Sequence, residues 1–271
     1  GGGGPLGCVG GKAEFMDLMN PRNRGQANYS YVNGTLHGNP VAAVAGMATL
    51  DELKKPSFYT DLHALADDVC NACQEVLDKN TRVISLKPKM LGDIWDDVQN
   101  VANQLSVREK GNEFKTETEA RIKVVQTRCA NSTARKVLTI EWLDPIYIGG
   151  MWLPEMIDIT GGQVCIAKSG QLAPIVKKED LEKIEPDVVV VKPCGYKLDQ
   201  TLKELELLRD QLPDWKNPPR IYLVDGNSYF NRPGPRILDS LEILAYCTHP
   251  ELFADFGERY KAAIIELDPE N

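Results

Sequence analysis

The sequence predicts an α/β fold: a three-layer lobe with a parallel sheet, joined by a connecting helical segment to a short Gly-rich N-terminal stretch. Three observations carry this expectation. Residues 137–142 (VLTIEW), 187–192 (DVVVVK) and 220–224 (RIYLV) are rich in β-branched residues, nearly continuously apolar and bounded by turn residues, as strands buried on both faces are. Helical patterns separate these runs, which calls for crossover connections and hence parallel strands covered on both sides. Glycine is uneven, with 11 of the 22 in the first 50 residues, so two unlike pieces are joined.

The elements follow in order. Residues 1–50 read as turns and loops, except that 40–50 (PVAAVAGMATL) is small, apolar and helical, suited to close packing. Over 58–77, Leu62, Leu65, Ala66, Val69, Cys73, Val76 and Leu77 recur at three- and four-residue steps, the period of an amphipathic helix. Residues 82–86 (RVISL) read as a short strand closed by Pro88. Ile94, Val98, Val101 and Leu105 step by four, three and four, a second helix, which Gly111 is placed to break before another helical stretch at 114–125. Beyond the first strand, helices are expected at 154–159, 178–184, 198–212, 236–247 and 250–265. The expected division is 1–67, 68–130 and 131–271.

Composition bounds the function. Lys and Arg total 31 against 39 Asp and Glu, a net charge of −8. That balance argues against nucleic acid as the main partner, because phosphate backbones need a basic surface. No apolar run approaches the ~20 residues of a membrane-spanning helix, so no membrane insertion is expected. The seven cysteines are odd in number and irregularly spaced apart from Cys70-x-x-Cys73. A zinc site needs two further ligands at suitable spacing and none is evident, so the pair reads as structural within its helix and no metal site is expected. Reduced thiols and the lack of a basic, then apolar leader point to a cytosol-like compartment. His37, His63 and His249 are widely spaced and suggest no catalytic group.

Chemistry concentrates in two places. In open α/β sheets, ligands sit outside the carboxyl ends of the strands. Trp142 and Asp144 follow the first strand, Cys194 and Tyr196 the second, and residues 227–232 the third, so these loops are expected to open on one edge. Trp142, Tyr147, Trp152, Tyr196, Tyr229 and Phe230 would wall a wide, flat-sided cleft for a planar or macrocyclic ligand. Arg232 and Arg236 would meet a carboxylate or phosphate, with Glu155 completing the polar set. The plainer alternatives stay open. Trp142 can be a core residue, Glu155 can serve a helix N-terminus, Cys194 can be a small buried residue, and Arg232 and Arg236 can pair with Asp225 and Asp239. Near the start, Thr35 offers a hydroxyl between Gly34 and Gly38, where backbone can approach a phosphate.

Two resemblances sharpen these readings. The motifs GGGGPLGCVGGKAEFMDL (1–18) and NGTLHGNPVAAVAGMATL (33–50) resemble class III pyridoxal-phosphate aminotransferases of the glutamate-1-semialdehyde aminomutase type, over about residues 1–67. That resemblance implies that Thr35 reaches the cofactor phosphate across a dimer interface, which leaves a dimer open. The family's lysine lies just upstream of the GGG run, and Lys12 falls after it. Residues 1–67 are therefore expected to be a fragment unable to form a Schiff base by itself, and pyridoxal-phosphate enzymology is the alternative function.

The segments EWLDPIYIGGMWLPEMIDITGG (141–162), PDVVVVKPCGY (186–196) and DGNSYFNRPGPR (225–236) together resemble class III substrate-binding proteins of ABC importers. The likeness is to the cobalamin and iron-siderophore group, its cobalamin-binding subgroup in particular, over about residues 68–256. It implies a Rossmann-like lobe that holds a cobalamin-like corrinoid or a metal chelate without catalysis, and the membrane subunits of an ABC transporter as partners.

Overall fold

The computed structural model describes residues 12–25, 29, 40–76 and 84–267. They belong to two compact units, Gly1–Val83 and Ile84–Asn271. The first carries helices α1 (Ala13–Met16), α2 (Pro40–Leu53) and α3 (Phe58–Val76). Pro40 opens α2, where a missing amide hydrogen is no loss. Both helices expected in this stretch are present, and α3 runs across the 67/68 join inferred from the motifs. Thr35 lies outside the described residues.

The second unit begins with α4 (Leu91–Gln104) and α5 (Arg108–Cys129). The Asp93 carboxylate closes the start of α4 by accepting from the amides of Lys89 (2.8 Å) and Met90 (3.0 Å), and those bonds hold its pKa below the usual carboxylate range. Gly111 does not break a helix. It lies inside α5, where a Cβ would stand 2.8 Å from the Gln99 side chain and 2.9 Å from Ala102 Cβ, so its bareness lets α4 and α5 touch. Residues 84–86, the described part of the expected strand at 82–86, are not in a strand.

The sheet contains β1 (Arg135–Leu143), β2 (Ile146–Ile148), β3 (Gly162–Val164), β4 (Ile175–Val176), β5 (Val188–Val191), β6 (Arg220–Val224) and β7 (Ile264–Leu267). The order is β4-β2-β1-β5-β6-β7, and β3 pairs with the start of β1. The three strands expected from sequence are neighbours and parallel, with Ile140 opposite Val191 and Val191 opposite Leu223. The edges depart from an all-parallel sheet, because β2, β4 and β7 run antiparallel to their neighbours.

Helices α6 (Leu153–Ile159), α7 (Lys178–Leu181), α8 (Leu198–Lys203), α9 (Leu205–Gln211), α10 (Ile237–Thr248) and α11 (Ala254–Arg259) complete the unit. The β5 valines divide by parity. Val188 and Val190 join a core with Met156 and Ile157 of α6 and Leu241 and Leu244 of α10. Val189 and Val191 join a second core with Leu181 of α7 and Leu208 of α9. Each face is thus covered, and each buried valine contributes roughly 1.5 kcal/mol or more by leaving water.

Two helical expectations are corrected. The stretch 198–212 is two short helices that meet at Glu204. The stretch 250–265 is helical only over α11, and Ile264 onward forms β7, where pairing with β6 outweighs local helical preference. Side chains then bind α5, α10 and α11 together. Arg121 meets Asp239 (2.7 Å) and Glu242 (2.9 Å), while the buried Glu242 also accepts from Arg259 (2.8 Å) and from the Tyr260 hydroxyl (2.6 Å).

Candidate ligand site at the carboxyl edge of the sheet

Each of the three parallel strands hands its chain to a loop at the same edge, and backbone hydrogen bonds tie those loops together. Lys192 N donates to Ile140 O (2.8 Å) and Cys194 N to Glu141 O (2.9 Å), fastening the turn after β5 to β1. Asn227 N donates to Tyr196 O (3.0 Å), fastening the loop after β6 to the same turn. Gly226 is required there, because a Cβ would lie 2.3 Å from Pro193 O. Asp225 accepts from the Ser228 amide (2.7 Å) and hydroxyl (2.8 Å), closing the single wide turn Gly226–Phe230.

The connections also place a crevice. At its end β1 turns straight back into antiparallel β2, whereas the chain leaves β5 across the face that carries α9. Because β2 lies on one side of the β1/β5 pair and β6 on the other, the two connections part and leave an opening outside the carboxyl ends of β1 and β5. Trp142 and Tyr196 stand at that opening with ring centroids 5.4 Å apart and edge-to-face, and Trp142 Nε1 donates to Asp144 O (3.0 Å). Tyr147 is half-buried on β2, directly opposite Trp142. Cys194 and Asp144 are exposed.

Other expected site residues lie elsewhere or act otherwise. Trp152 does not wall an open cleft: it is 8 % exposed within the core under α6, and its indole N–H has no hydrogen-bond partner among the described residues. Phe230 is also core. Glu155 accepts from Leu91 N (2.7 Å) and so serves the start of α4. Tyr229 packs edge-to-face on Tyr260 at 5.9 Å. Arg232 and Arg236 are exposed, and the alternative ion pairs do not form: Asp225 is taken by Ser228 and Asp239 by Arg121. Cys73 is an exposed free thiol in α3.

One site residue escaped sequence reasoning. Lys192 is 1 % exposed, and its ammonium donates to Glu141 Oε2 (2.9 Å) with the Phe230 ring 5.8 Å away. The signal was the single charge ending a run of four valines, which reads as a strand terminus entering solvent.

No family model matches the chain. A glutamate-1-semialdehyde 2,1-aminomutase from Lachnoclostridium phytofermentans is 44 % identical over 80 residues, which cover 29 % of this chain and 18 % of that protein. The chain therefore spans about a fifth of the length of that curated relative. Among solved structures, a periplasmic heme binding protein from Pseudomonas aeruginosa matches with a TM-score of 0.54 at 16 % identity, over 73 % of this chain and 70 % of its own. The TroA-like periplasmic binding protein FepB from Veillonella parvula matches with a TM-score of 0.54 at 14 % identity, over 77 % of this chain and 70 % of its own.

The fold is that of the periplasmic binding proteins. Both likenesses drawn from the motifs are thus present, one local and one spanning most of the chain. The periplasmic-binding-protein fold also corrects the cytosol-like compartment expected from the cysteines, since the solved structures that share it are periplasmic proteins. Two of the thiols misled because burial protects them. Cys129 and Cys247 are core residues, and burial pushes the Cys129 thiol up to about 11 and the Cys247 thiol up as well. Such inert thiols are compatible with either compartment.

Proposed function

We propose that this chain binds, without converting it, a planar or macrocyclic metal chelate such as a haem or a corrinoid, and presents it to the membrane subunits of an ABC transporter outside the cytoplasm. The supporting observation is the fastening of three loops at the carboxyl ends of β1, β5 and β6, with Trp142 and Tyr196 at the mouth. Aromatic faces suit a flat chelate, and Arg232 and Arg236, exposed and in no ion pair among the described residues, suit its peripheral carboxylates.

The test is a binding panel of haemin, cyanocobalamin, ferric citrate and pyridoxal phosphate, read by calorimetry and by tryptophan emission. Saturable binding of one chelate, weakened about tenfold by Trp142→Ala, is expected. An aldimine absorbance band with pyridoxal phosphate, trapped by borohydride on this chain, would instead favour the aminotransferase alternative, which rests on the local match to the aminomutases.

A further inference from the structure

Beside the Trp142–Tyr196 pair lies a hollow of about 100 Å³. Pro193 and Leu207 line it with the two rings, and so do two carboxylate residues, Asp144 and Glu204. Among the described residues, no lysine, arginine or histidine lines it and neither carboxylate is in an ion pair. Glu204 is half-buried at the junction of α8 and α9, so its lack of a counter-charge is not explained by full exposure to water.

The geometry points to this hollow as the seat of a compact organic cation, an alkylated ammonium group taken independently of the chelate. The assignment goes beyond the chelate-binding role proposed above and stands independently of it. Aromatic faces are negative and attract a cation most strongly when it is poorly hydrated, as an alkylated ammonium is. The half-buried Glu204 and the exposed Asp144 add a Coulombic attraction of the same sign, the larger share from Glu204. A neutral apolar guest would satisfy the rings and leave the half-buried Glu204 without a counter-charge. An anion would be repelled by them. A hard metal ion would be bound by oxygen donors and gain nothing from Pro193 and Leu207. A volume of about 100 Å³ suits a trimethylammonium-sized head rather than a whole chelate.

The experiment titrates the full chain with choline and, separately, with neohexyl alcohol, its uncharged carbon isostere, by calorimetry. Choline is expected to bind and the alcohol to bind at least about tenfold more weakly. Asp144→Asn and Glu204→Gln should each weaken choline about threefold to tenfold while leaving the alcohol unchanged, and Tyr196→Leu should weaken choline about tenfold. Thermal melting of each variant establishes that it is folded; should Asp144→Asn not fold, Glu204→Gln alone carries the charge comparison. Equal affinity for choline and the alcohol, or no binding of choline, would overturn the assignment. Failure here and failure of the chelate role are distinguishable. A chain that binds haemin or cyanocobalamin but not choline loses only the cation seat. One that binds choline and none of the chelates keeps the seat and loses the chelate.

Discussion

Lys192 is 1 % exposed, and Glu141 is its sole carboxylate partner among the described residues. The two members of this pair differ in access to water, since the Glu141 side chain is 30 % exposed. Removing the carboxylate leaves a buried ammonium without compensation, whereas removing the ammonium leaves a carboxylate that water can reach. Glu141→Gln is therefore expected to lower unfolding free energy by about 2–3 kcal/mol, and Lys192→Met by about 1 kcal/mol or less, in urea denaturation. The reverse order would show that Lys192 is hydrated in solution. His249 offers a pH-dependent counterpart. Burial, with Arg135 nearby, lowers its pKa below the ordinary 6.5, while Glu251 and Gly161 act in the opposite direction. The unfolded chain then takes up the proton first as pH falls. Stability should be full above pH 6.5 and decline from there down to the folded pKa, and His249→Gln should remove that slope. Of these residues, the sequence made Trp142 and Tyr196 legible as strand-end aromatics, but not Trp152 or Lys192. Whether a side chain turns into the core depends on which helix covers its strand end, and nothing local encodes that.

Loop spacing, rather than any one side chain, holds the mouth of the site in shape. At Gly226 the turn after β5 and the loop after β6 approach so closely that a Cβ would meet the Pro193 carbonyl at 2.3 Å. That neighbour is backbone and cannot step aside without parting the loops. Gly226→Ala is expected to lower stability by about 2–3 kcal/mol. It should also weaken whatever binds between Trp142 and Tyr196, because Asn227 N to Tyr196 O is the bond adjacent to the clash. Gly234→Ala is the control, since nothing lies within 4 Å of its Cβ position. Stability unchanged within about 0.5 kcal/mol is expected there. Unequal local signal also explains which segments could be read in advance. β1, β5 and β6 announced themselves through β-branched runs, and α3 and α4 through their periodicity. β2, β3 and β4 are two or three residues long, shorter than any pattern can resolve, and β7 follows alanines that read as helix. Gly111 misled because the reason for a glycine, contact with α4, comes from 12 residues earlier in the chain at Gln99.

The division of the chain into two compact units makes ligand binding separable from the stability of the N-terminal piece. All four tryptophans, Trp95, Trp142, Trp152 and Trp215, fall in the second unit. Tryptophan emission wavelength therefore follows that unit alone during heating, whereas far-ultraviolet circular dichroism follows the helices of both. A ligand that binds only the folded second unit stabilises it by RT ln(1 + [L]/Kd), about 2.7 kcal/mol at a hundredfold excess over Kd. Cyanocobalamin or haemin at that excess should raise the midpoint of the emission transition. Any part of the dichroism change that precedes or follows it should stay where it was. Parallel upward shifts of both signals would mean that the two units unfold as one and that the aminomutase-like segment contributes to the bound state. An unmoved emission transition at saturating ligand, measured against calorimetric binding in the same buffer, would place the ligand away from the carboxyl edge of the sheet.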